Sequence, residues 1–76
     1  MKEKILEILS EIRPDIDFKE ENRLIDEGYL DSFDIVSIIS ELNDEFNITI
    51  RVTELKPENF NSVDVIVDLV NRLLSK

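Results

Sequence analysis

A serine that directly follows an aspartate is the side chain best placed for chemistry in this sequence. Ser32 follows Asp31 just where apolar residues begin to recur at helical spacing. Asp31 fits the N-cap of that helix, and Asp34 stands three positions later, as in a capping box. Free backbone N–H groups and the helix dipole favour an anion at a helix start, so a phosphate esterified to Ser32 would be tolerated there. Ser32 is therefore either part of a plain helix cap or a residue that another enzyme modifies.

Catalysis by Ser32 itself is not expected. The chain has no His and no Cys, so the commonest general base and a thiol nucleophile are both missing. A lysine or a carboxylate would have to activate the serine, and every lysine is far from Ser32 in sequence and lies in a charged or terminal context. The lysines are Lys2, Lys4, Lys19, Lys56 and Lys76. We predict that the protein is not an enzyme and has no catalytic residue.

A cluster of acidic residues near Pro14 invites comparison with a calcium loop. The cluster consists of Asp15, Asp17, Glu20 and Glu21. Lys19 takes the third ligand position of the calcium-loop pattern, and no Gly follows it. We therefore predict a solvated acidic loop and no metal site.

The charge of the chain limits its partners. There are 18 acidic residues against nine Lys and Arg, which gives a net charge of −9. Such a surface repels nucleic acid and anionic membranes, but it attracts basic patches on other proteins. No apolar run approaches the roughly 18–20 residues of a membrane span, and the amino terminus lacks a signal-peptide pattern. We expect a cytoplasmic protein with protein partners, no nucleic acid and no membrane insertion.

Three stretches have apolar residues at the spacing of amphipathic helices. They predict helices over residues 2–12, 32–46 and 63–74, with Pro14 ending the first and Ser62 capping the last. Residues 63–69 also alternate like a strand, but the length of the stretch favours a helix. The predicted inward residues are Ile5, Ile8, Leu9 and Ile12; Ile35, Ile38, Ile39, Leu42 and Phe46, with Val36 widening that face; and Val63, Ile66, Val67, Val70, Leu73 and Leu74.

The connections between these helices differ in length. Residues 14–30 form a long loop, which is unusual in a compact domain and ends at the Asp-Ser pair. Residues 48–52 alternate like a strand but have no partner strand, so they predict an extended connector. Thr53 is a candidate cap and Pro57 a candidate first-turn residue for a short helix. We therefore predict a single domain over 1–76, all-α, a small antiparallel bundle of three main helices plus one short helix.

The segment over residues 24–46 resembles acyl carrier proteins of the phosphopantetheine-binding family. In that family an Asp-Ser pair opens the second helix after an upstream Gly, an apolar residue follows the serine, and the helix ends near a Glu-Phe pair. The corresponding residues here are Gly28, Asp31-Ser32, Phe33 and Glu45-Phe46. The resemblance extends over essentially the whole chain, and it implies an acyl carrier protein-like bundle.

The resemblance also implies a function. Ser32 would receive 4′-phosphopantetheine from coenzyme A through a magnesium-dependent holo-carrier synthase, a phosphopantetheinyl transferase. The arm would hold acyl or aminoacyl groups as thioesters, and the domain would carry them from a loading enzyme to a downstream acyltransferase. The segment over 53–66 is similar to D-alanyl carriers, which favours an aminoacyl or specialised carrier. The alternatives are a fatty-acid biosynthesis carrier and, in a different class, an unmodified acidic interaction domain.

The resemblance gives other residues expected roles. Asp31 would cap the second helix and help to orient the serine and the metal in the transferase complex. Phe33 is either an exposed apolar anchor for partners or part of the core. The expected docking face consists of Asp34, Ser37, Ser40 and Glu41, each of which is otherwise plain solvated surface.

Overall fold

The structure is a computed structural model that describes residues 1–75. It contains helices α1 (Lys2–Ile12), α2 (Ser32–Phe46), α3 (Pro57–Phe60) and α4 (Val63–Leu74), and a single 3-10 turn at Val52–Glu54. No residue from 1 to 75 lies in a β-strand. The prediction of an all-α bundle with three main helices and one short helix is confirmed, and the bounds predicted for the three main helices agree with the structure.

One hydrophobic core joins the helices. α1 packs against α2 and α4, and α4 also packs against α2 and α3. Each large apolar side chain taken fully out of water contributes about 1.5–3 kcal/mol to folding. The largest fully buried side chains are Ile5, Leu9, Leu24, Ile38, Leu42, Phe60, Ile66, Leu69 and Val70.

The long connection between α1 and α2 is part of this core. Ile16, Phe18, Leu24 and Leu30 are all buried in it, and Ile25 packs against its edge. Anchoring at four points means that the loop has a defined path although it has no long helix of its own. The loop therefore delivers the chain to Ser32 in a fixed position.

The burial of three apolar residues differs from the prediction: two residues predicted to face the core are exposed, and a third, which was not predicted to face it, is buried. Leu74 is 45% exposed because it lies in the last turn of α4, and Val36 is 65% exposed because it faces a surface groove beside Ser32. Leu69 is fully buried, although it was not among the predicted inward residues. It follows Ile66 by three positions and so lies on the same helical face.

The caps explain where the helices begin and end. Ser62 caps α4 by accepting a hydrogen bond from the Val65 backbone N–H at 3.3 Å. The prediction that Thr53 is a helix cap is wrong. Thr53 lies inside the 3-10 turn and caps neither that turn nor α3. Pro57 is the first residue of α3, as predicted. Proline has no backbone N–H, so one of the donors that would lack a partner at the start of a helix is absent. α3 begins without a side-chain cap.

Residues 48–51 of the connector after α2 lie in no helix or strand, and Arg51 is extended. Val52, the last residue of the predicted connector, instead begins the 3-10 turn. Asn47 ends α2 in the left-handed conformation, with φ of 54°, which asparagine tolerates better than most residues. The Asn43 side chain then accepts a hydrogen bond from the backbone N–H of Ile50 at 3.0 Å. Within residues 1–75, no helix is long and apolar enough to cross a membrane.

Candidate functional site

Ser32 is the first residue of α2 and is exposed. The cap in front of it is made by Asp31, whose Oδ1 accepts a hydrogen bond from the Asp34 backbone N–H at 2.9 Å. Asp34 returns the interaction, since its Oδ2 accepts from the Asp31 backbone N–H at 3.2 Å. The predicted capping box is therefore present. Because two aspartates make the cap, the Ser32 hydroxyl has no part in it.

Arg13, immediately after α1, holds this capping box in place. Its Nη1 donates to Asp34 Oδ2 at 2.7 Å and to the backbone oxygen of Tyr29 at 2.8 Å. Its Nε and Nη2 donate to the two oxygens of Asp15 at 3.0 and 2.8 Å. One guanidinium therefore joins the end of α1, the loop before Ser32 and the first turn of α2.

The charges in this cluster stabilise one another. The hydrogen bonds to Asp15 and Asp34 raise the pKa of Arg13 above its ordinary value, and the hydrogen bond from Arg13 lowers the pKa of Asp15. The Asp34 side chain is only 14% exposed. Asp34 was expected on the docking face, but the structure turns its carboxylate towards Arg13 and away from full contact with solvent.

A second set of hydrogen bonds anchors the loop on the other side of the site. Asn61, between α3 and α4, accepts with Oδ1 from the backbone N–H groups of Ile25 at 2.9 Å and Asp26 at 3.1 Å. Its Nδ2 donates to Asp26 Oδ2 at 3.2 Å, and its backbone oxygen accepts from the N–H of Leu24 at 2.8 Å. Asn61 thus fixes the turn that leads to the Asp-Ser pair.

Gly28 reverses the chain between this turn and Ser32. Its φ of +77° is one that residues with a side chain rarely adopt. After the reversal, the backbone N–H groups of Tyr29 and Leu30 both donate to the Leu24 oxygen, at 2.9 and 3.1 Å. The upstream Gly identified from sequence therefore has a conformational role at the approach to Ser32.

A groove of about 250 Å³ opens beside Ser32. Its walls are mainly apolar and come from Ile35 and Val36 of α2 and from Leu55, Pro57 and Phe60. Lys56 is the cation among the residues that line it, and no acidic residue lines it. The groove can accept a flexible, largely apolar group next to a negative charge carried by Ser32.

The other predicted site residues lie on the exposed face of α2. Phe33 is 85% exposed, which excludes the alternative that it packs in the core. Ser37, Ser40 and Glu41 are also exposed. The outer surface of α2 is therefore apolar in its first turns, at Phe33 and Val36, and polar or acidic further along the helix.

Arg13, Asn61 and the groove were not found from the sequence. Arg13 lies 16 and 21 residues away from the groups that it contacts beside Ser32, and no periodic pattern links them. The one available signal was that a long loop between helices ends at a candidate site, which implies side chains that anchor it.

The acidic loop before the site holds no metal cluster among residues 1–75. No group of three His, Cys, Asp or Glu side chains there is arranged to hold a metal ion. Asp15 is paired with Arg13, and Asp17 Oδ1 accepts a hydrogen bond from the backbone N–H of Lys19. Two of the four carboxylates in this cluster therefore make contacts that stabilise the loop.

Known proteins resemble the chain over nearly its whole length. A family model described as "Phosphopantetheine attachment site" matches residues 3–73. A D-alanyl carrier protein of Streptococcus suis (strain 05ZYH33) is 37% identical over 75 residues, which cover 97% of this chain and 95% of the relative. A D-alanyl carrier protein of Bacillus licheniformis is 35% identical over 74 residues, covering 93% and 94%. That of Bacillus subtilis (strain 168) is 31% identical over 75 residues, covering 95% of each chain.

Proposed function

Since the chain belongs to the phosphopantetheine attachment site family and is a carrier that bears 4′-phosphopantetheine, we propose that Ser32 is the attachment residue. We also propose that residues 1–76 act as a single, non-catalytic carrier domain. The observation that supports Ser32 most strongly is its exposed place at the first position of α2, with Asp31 and Asp34 making the cap. A hydroxyl there is accessible to another enzyme, and a phosphate attached to it meets the favourable end of a helix dipole.

The surroundings of Ser32 fit such an arm. The groove offers apolar surface to a pantetheine chain, and Lys56 supplies a positive charge suited to the phosphodiester. When bound, the arm supplies the thiol that holds the cargo as a thioester, which this chain cannot supply because it has no Cys. The residues of the chain present and orient the arm, and they do not react with the cargo.

The attachment step needs a partner enzyme. Ser32 Oγ forms a bond to the phosphorus that carries the pantetheine, and the rest of coenzyme A leaves as adenosine 3′,5′-bisphosphate. The serine proton must go to a base, and the carboxylates nearest in sequence, Asp31 and Asp34, are engaged in the capping box. We infer that the base belongs to a magnesium-dependent phosphopantetheinyl transferase, with Asp31 helping to orient Ser32 and the metal.

D-alanine is the proposed cargo. The names of the relatives support it, since each of the three described above is a D-alanyl carrier protein. A D-alanine ligase would load the thiol, and a downstream acyltransferase would receive the D-alanyl group. The attachment step consumes coenzyme A, so we propose a cytoplasmic location. A fatty-acid cargo is the alternative, and loading assays with the two classes of enzyme separate them.

The outer face of α2 is the proposed docking surface for these enzymes. It presents Phe33 as an apolar anchor beside Ser32, followed by Ser37, Ser40 and Glu41. Asp34 contributes to docking by holding the start of α2 in position. The net charge of −9 favours partners with a basic patch, because opposite charges speed encounter.

Mass spectrometry tests the attachment directly. The purified protein is incubated with coenzyme A, Mg²⁺ and a broad-specificity phosphopantetheinyl transferase, and its intact mass is recorded. We expect one added phosphopantetheine in the wild type and in Ser37→Ala, and none in Ser32→Ala. An unmodified wild type, under conditions that fully load a control carrier, would instead support an unmodified acidic interaction domain.

A further inference from the structure

The contacts of Arg13 set it apart from the other ion pairs of the chain. Most isolated surface pairs contribute little, because water competes for both charges. The Arg23–Glu27 pair, with an N···O distance of 3.9 Å and both side chains more than half exposed, is of that kind. Arg13 instead makes four hydrogen bonds of 2.7–3.0 Å to three separate places in the chain.

Two of those hydrogen bonds act directly on the approach to Ser32. The bond to the Tyr29 oxygen fixes the loop three residues before the serine. The bond to Asp34 Oδ2 fixes the same oxygen that accepts from the Asp31 backbone N–H. Arg13 therefore determines the position of the peptide that precedes Ser32 from both sides, through the loop and through the first turn of α2.

We propose that Arg13 is a positioning residue for the modification of Ser32: its guanidinium holds the Tyr29 carbonyl and the Asp34 carboxylate so that the serine hydroxyl is presented in one orientation to the transferase. The inference rests on the proposed attachment at Ser32. Arg13 itself has no contact with the serine. It acts through the capping box, and its planar fork is needed because three nitrogen atoms donate in fixed directions.

Substitution by lysine separates geometry from charge. Arg13→Lys keeps the positive charge, but one ammonium cannot reproduce the four contacts of the guanidinium. Arg13→Gln removes both the positive charge and the guanidinium contacts. Arg23→Gln is the matched control, because it removes the same charge from an exposed arginine whose one ion pair within residues 1–75 is the long pair with Glu27.

The rate of phosphopantetheine transfer from coenzyme A is measured at temperatures where circular dichroism shows every variant to be folded. We expect kcat to fall between about tenfold and 100-fold in Arg13→Lys and Arg13→Gln, since small misplacements of a reacting group have effects of that size. KM for the carrier is expected to change by less than about threefold, because Phe33, Ser37, Ser40 and Glu41 keep their side chains and contribute mainly to binding. Arg23→Gln is expected to stay within about twofold of the wild type in both constants.

Amide hydrogen exchange gives a second readout that does not involve the transferase. The backbone N–H groups of Asp31 and Asp34 are expected to exchange faster in Arg13→Lys than in the wild type, while amides in the middle of α4 keep their protection. Equal kcat in Arg13→Lys and the wild type, or a loss that appears only in KM, would overturn the positioning role and leave the attachment at Ser32 intact. A wild-type protein that is not modified at Ser32 would overturn both.

Discussion

Phe33 should matter for binding partners and hardly at all for folding. The side chain is 85% exposed, so its replacement by serine removes almost no buried surface. We expect Phe33→Ser to change the free energy of unfolding by less than about 0.5 kcal/mol. Phe33 follows the proposed attachment serine directly, so we expect it to contact an enzyme that reaches Ser32.

The size of the binding effect follows from the exposed area. A phenylalanine presents about 150–200 Å² of surface, and nearly all of it is accessible here. A docked enzyme that covers roughly half of that area removes about 75 Å² from water, which corresponds to about 2 kcal/mol. The affinity of the carrier for the transferase should therefore fall by roughly 20-fold to 30-fold in Phe33→Ser.

The assay is the KM of the carrier protein in phosphopantetheine transfer, measured together with thermal unfolding. Val52→Ser is the matched control, because Val52 is 83% exposed but lies in the 3-10 turn and not on α2. We expect KM to rise in Phe33→Ser and to stay within about twofold in Val52→Ser. An unchanged KM in Phe33→Ser, or a melting temperature several degrees lower, would refute the assignment of Phe33 to docking.

Three further predictions concern the supports of the site. Asn61→Ala removes three side-chain hydrogen bonds and should lower stability by about 1–3 kcal/mol, or about 5–15 °C in melting temperature; the exposed control Asn71→Ala should change it by less than about 0.5 kcal/mol, and equal melting temperatures would contradict the anchoring role. Gly28→Ala should cost about 1–2 kcal/mol in chemical denaturation, because φ is +77° although a Cβ would meet nothing within 4 Å; a neutral result would show that the backbone relaxes. Asp15 has a lowered pKa in the folded protein because Arg13 donates to it, so its stabilising contribution is complete above the unfolded value of about 3.9 and is lost as the pH falls through the lower folded value. The difference in melting temperature between the wild type and Asp15→Asn should be constant from about pH 7 to pH 5 and shrink below about pH 4, and a difference that grows below pH 4 would contradict the pairing.

The sequence was sufficient for the helices and for the place of Ser32 at the start of α2. The bounds of α2 followed from two local signals, the cap at Asp31 and the apolar residues at helical spacing. Such signals depend on neighbours within one turn, so a single sequence reveals them. The same locality explains the wrong assignment of Thr53, because a residue suited to capping does not specify whether a helix begins after it.

The supports of the site could not be predicted, because they join residues that are far apart in the chain. Asn61 contacts Ile25 across 36 positions, and the contact exists only once the long loop has packed its apolar residues onto the core. The groove likewise depends on the distance between α2 and α3. The sequence therefore placed Ser32 at the start of α2, and the tertiary packing determined how the chain around Ser32 is held and what surface surrounds it.

The most direct test of the account is to find where the arm is attached in the protein isolated from its own cells. The purified protein is digested, and the peptides that contain each serine are sequenced by tandem mass spectrometry. The account predicts 4′-phosphopantetheine on the peptide that contains Ser32 and on no other serine. An arm at another residue, or a protein without any arm from cells that load their other carriers, would contradict it.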